Sequence, residues 1–359
     1  MRLKIQKAFT LVELLVSLVI AGMLGGVATV VLWFSVASYH QMNDYGSAES
    51  EMAYAAQRLS RDFALIGLGM PNNRRGVGSF VSTFSYSSNA PIMAFFGSDS
   101  GADPKWGGPV VVANATGSSG YSAATITNPG LLSGTTTYVG PELYYAWGVP
   151  TGVKARFRTP TGAVEVEKND IVEIGPFFAP EDTGRDYLEK LRYRDIGGNF
   201  TPSVGANSVR RWLLFPTLRL PMLAESWTTK GGEDVLTARV APESTKNVKG
   251  VLMGLDEIHL IQAARLFRND NNELVRVVFD TGSSSETEVL ARHVVGLHFA
   301  YDPDSRLLTM YIAARGTVAN GTGHTLAQPK DWPSWLPPID ASELPFRILT
   351  KSLTWRIRN

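Results

Sequence analysis

One carboxylate, Glu13, stands near the start of Leu11–Phe34, a run otherwise free of charged residues. A carboxylate at bilayer depth costs about 2.5–3.5 kcal/mol on insertion scales, so such a residue is functional by default. A charge removed from water persists when an opposite charge or a hydrogen-bond donor meets it. The chemistry Glu13 offers is therefore pairing within an apolar medium, with snorkelling to the interface as the plainer use. The rest of the chain offers little else that reacts. Cysteine is absent, which removes disulfides, thiolate metal sites and a cysteine nucleophile. The five histidines, His40, His259, His293, His298 and His324, fall in no ligand spacing and read as strand or surface histidines. There is no GxSxG, no Walker A loop and no GxGxxG opening a helix. The oxygen-rich stretches 269–273 (NDNNE) and 302–305 (DPDS) faintly suggest calcium loops, yet Asn, Asp and Pro between strands are ordinary turn residues. No catalytic residues, metal or cofactor are expected.

The elements around Glu13 decide its setting. Residues 1–8 (MRLKIQKA) carry Arg2, Lys4 and Lys7 and no acid, which favours a cytoplasmic flank with the following chain outside. Leu14 to Phe34 makes about 21 residues, roughly 31 Å of helix, the thickness of a bilayer core. Three readings compete. A secretory signal peptide has a small-x-small site in Ser35-Val36-Ala37, but its apolar region would be too long. A plain signal anchor leaves Glu13 unexplained.

The third reading rests on 7–13 (KAFTLVE), which resembles the class III leader of type IV prepilins and of type II secretion pseudopilins. The resemblance implies cleavage by prepilin peptidase between Ala8 and Phe9 and methylation of the new amine on Phe9. Glu13 then becomes the fifth residue of the mature chain, where the family carries its glutamate. The family usually has glycine before the cut, and this chain has Ala8. The amine released at Phe9 is the natural partner of Glu13, either its own or a neighbouring subunit's. Gly22 and Gly26 form a small-xxx-small pair that permits close helix packing. Each also weakens the helix by about 1 kcal/mol, so local melting on leaving the membrane is the alternative.

Helical spacing continues beyond the span. Met52, Ala55, Ala56, Leu59, Phe63 and Ile66 share one face, with Glu49, Glu51, Arg58, Arg61 and Asp62 largely off it, and 67–71 (GLGMP) stops the helix. A leader 1–8 is followed by a helix 9–67, with a membrane and assembly half of about 9–36 and an amphipathic half of about 37–67. A β-rich globular domain, 68–359, completes the chain. Its Gly/Ser/Thr-rich tract, about 72–140, reads as a loop-rich insertion with apolar islets at 91–96 and 109–112. Strand character appears at 143–147, 163–167, 170–174, 234–240, 274–279, 294–301, 307–314 and 352–359. One long helix and many antiparallel-type strands make an α+β arrangement, the lollipop outline of pilins.

Residues 289–301 (VLARHVVGLHFAY), the strand after them, the opening 233–237 (EDVLT) and the ending Arg358-Asn359 resemble PilW-type minor pilins; pseudopilin J shares the architecture but is shorter. That resemblance implies a minor pilin that primes pilus assembly, with a place at the tip. Its partners would be other minor pilins, the major pilin, prepilin peptidase and the inner-membrane assembly platform, with the membrane as its home before assembly. It implies an inner-membrane protein with a periplasmic head that later reaches the cell surface. A type II secretion pseudopilin and a tip adhesin binding through the 72–140 tract are the alternatives. With a net charge of +1, no global field recruits nucleic acid. The segment 331–338 (DWPSWLPP) reads either as a loop clamped on the sheet by its tryptophans or as a partner surface.

Overall fold

The computed structural model describes residues 10–67, 83–86, 109–116, 124–127, 130–158, 165–166, 171–178, 193–195, 200–201, 208–209, 212–217, 220–240, 246–247, 255–279, 285–319 and 327–357. A single helix, Leu11–Phe63, forms the stalk. At 1.5 Å per residue its 53 residues reach about 80 Å. From Leu11 to Ser50 its described side chains are exposed, apart from the half-buried Ala37 and Ala48. Beyond that point the apolar stripe takes over: Met52, Ala55, Leu59, Phe63 and Ile66 are all buried. The helix ends at Phe63, before the glycines expected to stop it. Ile66 has already left helical pairing to bridge Trp147 on the sheet, and Gly67 takes a left-handed φ of 73°.

The head is an antiparallel β structure, so stalk and head together make the α+β lollipop. Its larger sheet has eleven strands. Two long ones, Glu142–Arg158 and Leu255–Arg268, run side by side at its centre. From them the pairing passes through Ile171–Phe178, Glu233–Val240, Leu220–Lys230 and Trp212–Phe215 and returns, a closed barrel-like ring of six strands. Closure removes the free edges these strands would otherwise present. Leu274–Phe279 and Ser285–Ala291 extend the sheet on one side and Val110–Thr116 on the other. Val110 and Val112 lie in the core, so that part of the 72–140 tract is built into the sheet; the 91–96 islet lies outside the described residues.

A second sheet of five strands includes Val294–Asp302, Leu307–Ala319 and Phe346–Arg356. The chain passes from one sheet to the other at Arg292-His293, where His293 adopts a φ of 55°. The lower half of the helix packs on both sheets, burying its stripe against Val112, Leu143, Tyr145, Leu290, Phe299 and Ile312 among others. Phe63 meets Tyr145 and Trp355 edge-on, and the Trp355 indole donates to Ser60 Oγ at 3.0 Å.

Asp62, which spacing puts off the apolar face, is buried at this joint. Its Oδ2 accepts from the Tyr145 hydroxyl at 2.9 Å and lies 2.6 Å from Arg276 Nε. Arg276 also reaches Glu288, and Arg58 spans Glu288 and Asp62, each contact at 3.3 Å. Burial, with the negative charge of Asp62, pushes the Tyr145 phenol far above its usual range, so it remains a donor. Five side chains thus tie the helix to three strands of the head. About three turns before Asp62, Glu51 accepts the backbone N–H of Arg292 at 2.7 Å.

The outer face of the second sheet is covered by the 331–339 segment. Trp332 is buried with Val295, Ala313, Leu336 and Ile339, and its indole donates to the Pro337 carbonyl at 3.0 Å. Trp335 is 39% exposed and stands edge-on to Tyr311. The clamp expected of two tryptophans is made mainly by one. Trp332 fits because residue 296 is glycine: a Cβ there would stand 2.7 Å from the Trp332 ring. Gly296→Ala is expected to cost about 1–3 kcal/mol by overpacking. Denaturant unfolding followed by circular dichroism checks it, and an unchanged midpoint would mean that the glycine is not required for Trp332 to seat.

Candidate functional site

The helix N-terminus is built by Thr10 and Glu13 acting on each other. Thr10 takes extended geometry, and its Oγ1 accepts the Glu13 N–H at 3.4 Å. Glu13 Oε2 reaches back to the Thr10 N–H and hydroxyl, both at 3.0 Å. This is a capping box, in which two otherwise orphaned N–H groups are satisfied reciprocally. The carboxylate also sits where the helix dipole favours a negative charge. Thr10-x-x-Glu13 is the sequence signal for it, and spacing alone offers it beside the longer-range pairing. The structure therefore gives Glu13 a partner within its own chain. That arrangement holds the charge at the first turn, next to the expected cut. Ala8 and Phe9 themselves lie outside the described residues.

The surface that follows is uniformly apolar. Leu11, Leu18, Met23, Leu24, Leu32 and Trp33 are each at least 65% exposed, and this is the only helix among the described residues long and apolar enough to cross a membrane. The few hydroxyls along it are turned inward. Ser17 donates to the Leu14 carbonyl, Thr29 to Gly25 and Ser35 to Val31, at 2.8–2.9 Å. Such back-bonding satisfies a hydroxyl where no water is present. Gly22 and Gly26 lie one turn apart in unbroken helix, and the space beside each is open. A neighbouring helix has room to approach the backbone there.

The remaining candidates resolve into structure. Asn269–Glu273 is a hairpin turn: Asn269 Oδ1 accepts the N–H groups of Asn271 and Glu273, and Asn272 has a φ of 60°. In the 302–305 turn Asp302 accepts from Ser305, Asp304 and Thr136, contacts that hold its carboxyl below the usual range. In both turns these side-chain oxygens are taken up by N–H and O–H groups of the protein itself. Among the described residues no cluster of His, Asp and Glu is placed to hold a metal. His298 lies within a strand, and burial holds its pKa down. His259 is also held down by burial, its Nδ1 unpartnered above Gly148. The Glu142–Arg265 pair is bidentate and buried, at 2.7 and 2.8 Å, and fixes the register of the two central strands.

Residues 3–29 match the prokaryotic N-terminal methylation motif. No curated protein and no solved structure matches the chain. The motif covers Lys4 and Lys7 of the basic flank, Ala8, Phe9, the Thr10–Glu13 cap and Gly22, Gly25 and Gly26. It supports a class III prepilin leader, and with it a type IV pilin or pseudopilin that prepilin peptidase processes and that assembles with other pilins. The leader and the single apolar helix suit membrane anchoring.

Proposed function

We propose that this chain is a minor pilin of the PilW kind, which primes a type IV pilus and stays at its tip. On this reading prepilin peptidase removes residues 1–8 by cutting Ala8–Phe9, and the amine of Phe9 is methylated. Residues 9–36 then anchor the protein in the inner membrane and later pack in the filament, with 37–67 joining them to the periplasmic head, 68–359. Other minor pilins, the major pilin and the assembly platform are the partners. The observation that carries the proposal is the methylation motif running into an exposed apolar helix with Glu13 on its first turn. A pseudopilin of type II secretion uses the same motif and the same exposed helix and is the second reading.

Mass spectrometry of the mature N-terminus tests the processing step. The expected chain begins at Phe9 and is heavier by one methyl group. An intact leader, or a cut elsewhere, would overturn the assignment of Ala8 and Phe9. Deleting the gene and scoring piliation and protein export in one strain separates the two readings. Loss of pili with export intact favours the minor pilin, and the reverse favours the pseudopilin.

A further inference from the structure

The strand Phe346–Arg356 is an open edge of the five-stranded sheet, and among the described residues no strand pairs with its outer side. Its pairing with Leu307–Arg315 is continuous from Ile348 to Arg356, without proline or bulge. The direction of its free backbone groups follows from one bond. Ile357 donates to the Arg306 carbonyl at 2.9 Å, so Ile357 belongs to a hydrogen-bonded pair. In an antiparallel ladder such pairs alternate, so Trp355, Leu353 and Lys351 also turn their N–H and C=O groups inward. Thr350, Ser352, Thr354 and Arg356 then direct theirs outward. This is a row of unpaired donors and acceptors at the spacing of an incoming strand.

The charges on the strand select its occupant. Arg347, Lys351 and Arg356 are its only ionisable side chains, and all three are exposed. A second copy of the same edge, laid antiparallel, must pair residues whose backbone groups point the same way: centred on Lys351 it sets the two lysines directly opposite, and centred on Ser352 it sets them diagonal on one face. Like charges in cross-strand positions oppose pairing, so the edge rejects its own twin. We propose that Phe346–Arg356 accepts an extended, acidic segment of a different protein subunit, which adds a sixth strand to this sheet. The backbone row supplies the hydrogen bonds and the three cations supply the choice of partner. The inference stands on the sheet alone and goes beyond the processing and membrane steps above.

The test uses the full-length protein in detergent micelles and two fluorescent peptides, alternating threonine with glutamate or threonine with lysine. Anisotropy titration is expected to show the glutamate peptide binding about tenfold tighter or more. Hydrogen exchange should slow at the amides of Thr350, Ser352 and Thr354. Ser352→Pro removes an outward N–H while leaving the inner ladder intact, and should abolish binding. If that variant fails to keep the parental unfolding midpoint, the double variant Lys351→Glu, Arg356→Glu decides, because it should reverse the peptide preference. No binding, equal affinity for both peptides, or binding that survives these changes would overturn the proposal. None of these outcomes bears on the mass of the mature N-terminus, so the two proposals fail separately.

Discussion

Glu13→Gln is expected to be cleaved and methylated normally yet to assemble poorly, with filament yield sharply reduced. The loss follows if Glu13 meets the Phe9 amine inside the packed filament, because removing one charge leaves the other without a partner in an apolar medium. Glutamine is the informative replacement because Glu13 has two roles. In the structure its carboxylate closes the capping box with Thr10. Glutamine serves in that box as well, so it keeps the cap and removes only the charge. Glu13→Ala removes both, and Thr10→Ala weakens the cap while keeping the carboxylate. If the charge matters through the Phe9 amine, Gln and Ala fail alike and Thr10→Ala assembles. If the cap is what matters, Gln assembles and Thr10→Ala fails. Immunoblots of sheared filaments against whole-cell protein read the result. Normal piliation in both Glu13 variants would remove the residue from assembly.

Much of this site was legible because its signals are local. The span, the basic flank and Glu13 lie within one stretch of chain, and the amphipathic stripe from Met52 to Ile66 follows a single period, whereas the Thr10 cap, equally local, emerges only from the structure. The head was legible only in pieces. Strands such as Leu274–Phe279 and Val294–Asp302 stand out by β-branched and aromatic content. The central strand Leu255–Arg268 does not. Leu255, Ile258, Ile261 and Ala264 recur every third residue, which imitates a helix face. It is a strand because neighbours on both sides pair with it, and residues on both its faces are buried. Ring closure likewise depends on pairings between strands far apart in sequence. The same holds for Asp62: one acid beside an apolar stripe reads as solvated, and only the fold brings Arg276 and Tyr145 to it.

That buried joint sets the second large effect. Arg276→Met should destabilise the head by about 3–5 kcal/mol, a sizeable share of the 5–15 kcal/mol typical of a folded domain. The methionine itself packs acceptably; the cost is the carboxylate of Asp62, whose side chain is only 10% exposed. Tyr145 still donates to it, and Arg58 at 3.3 Å is a longer contact from a side chain that is one-third exposed, so neither replaces the guanidinium. Pairing Arg276→Met with Asp62→Asn should recover a substantial part of the loss, because the orphaned charge is gone. Denaturant unfolding of the two single variants and the double closes the cycle. A coupling near zero would mean that the Asp62–Arg276 pair adds nothing to the joint beyond its apolar stripe and its other hydrogen bonds. A large coupling would mean that the joint depends on the Asp62–Arg276 charge pair as well as on its apolar stripe.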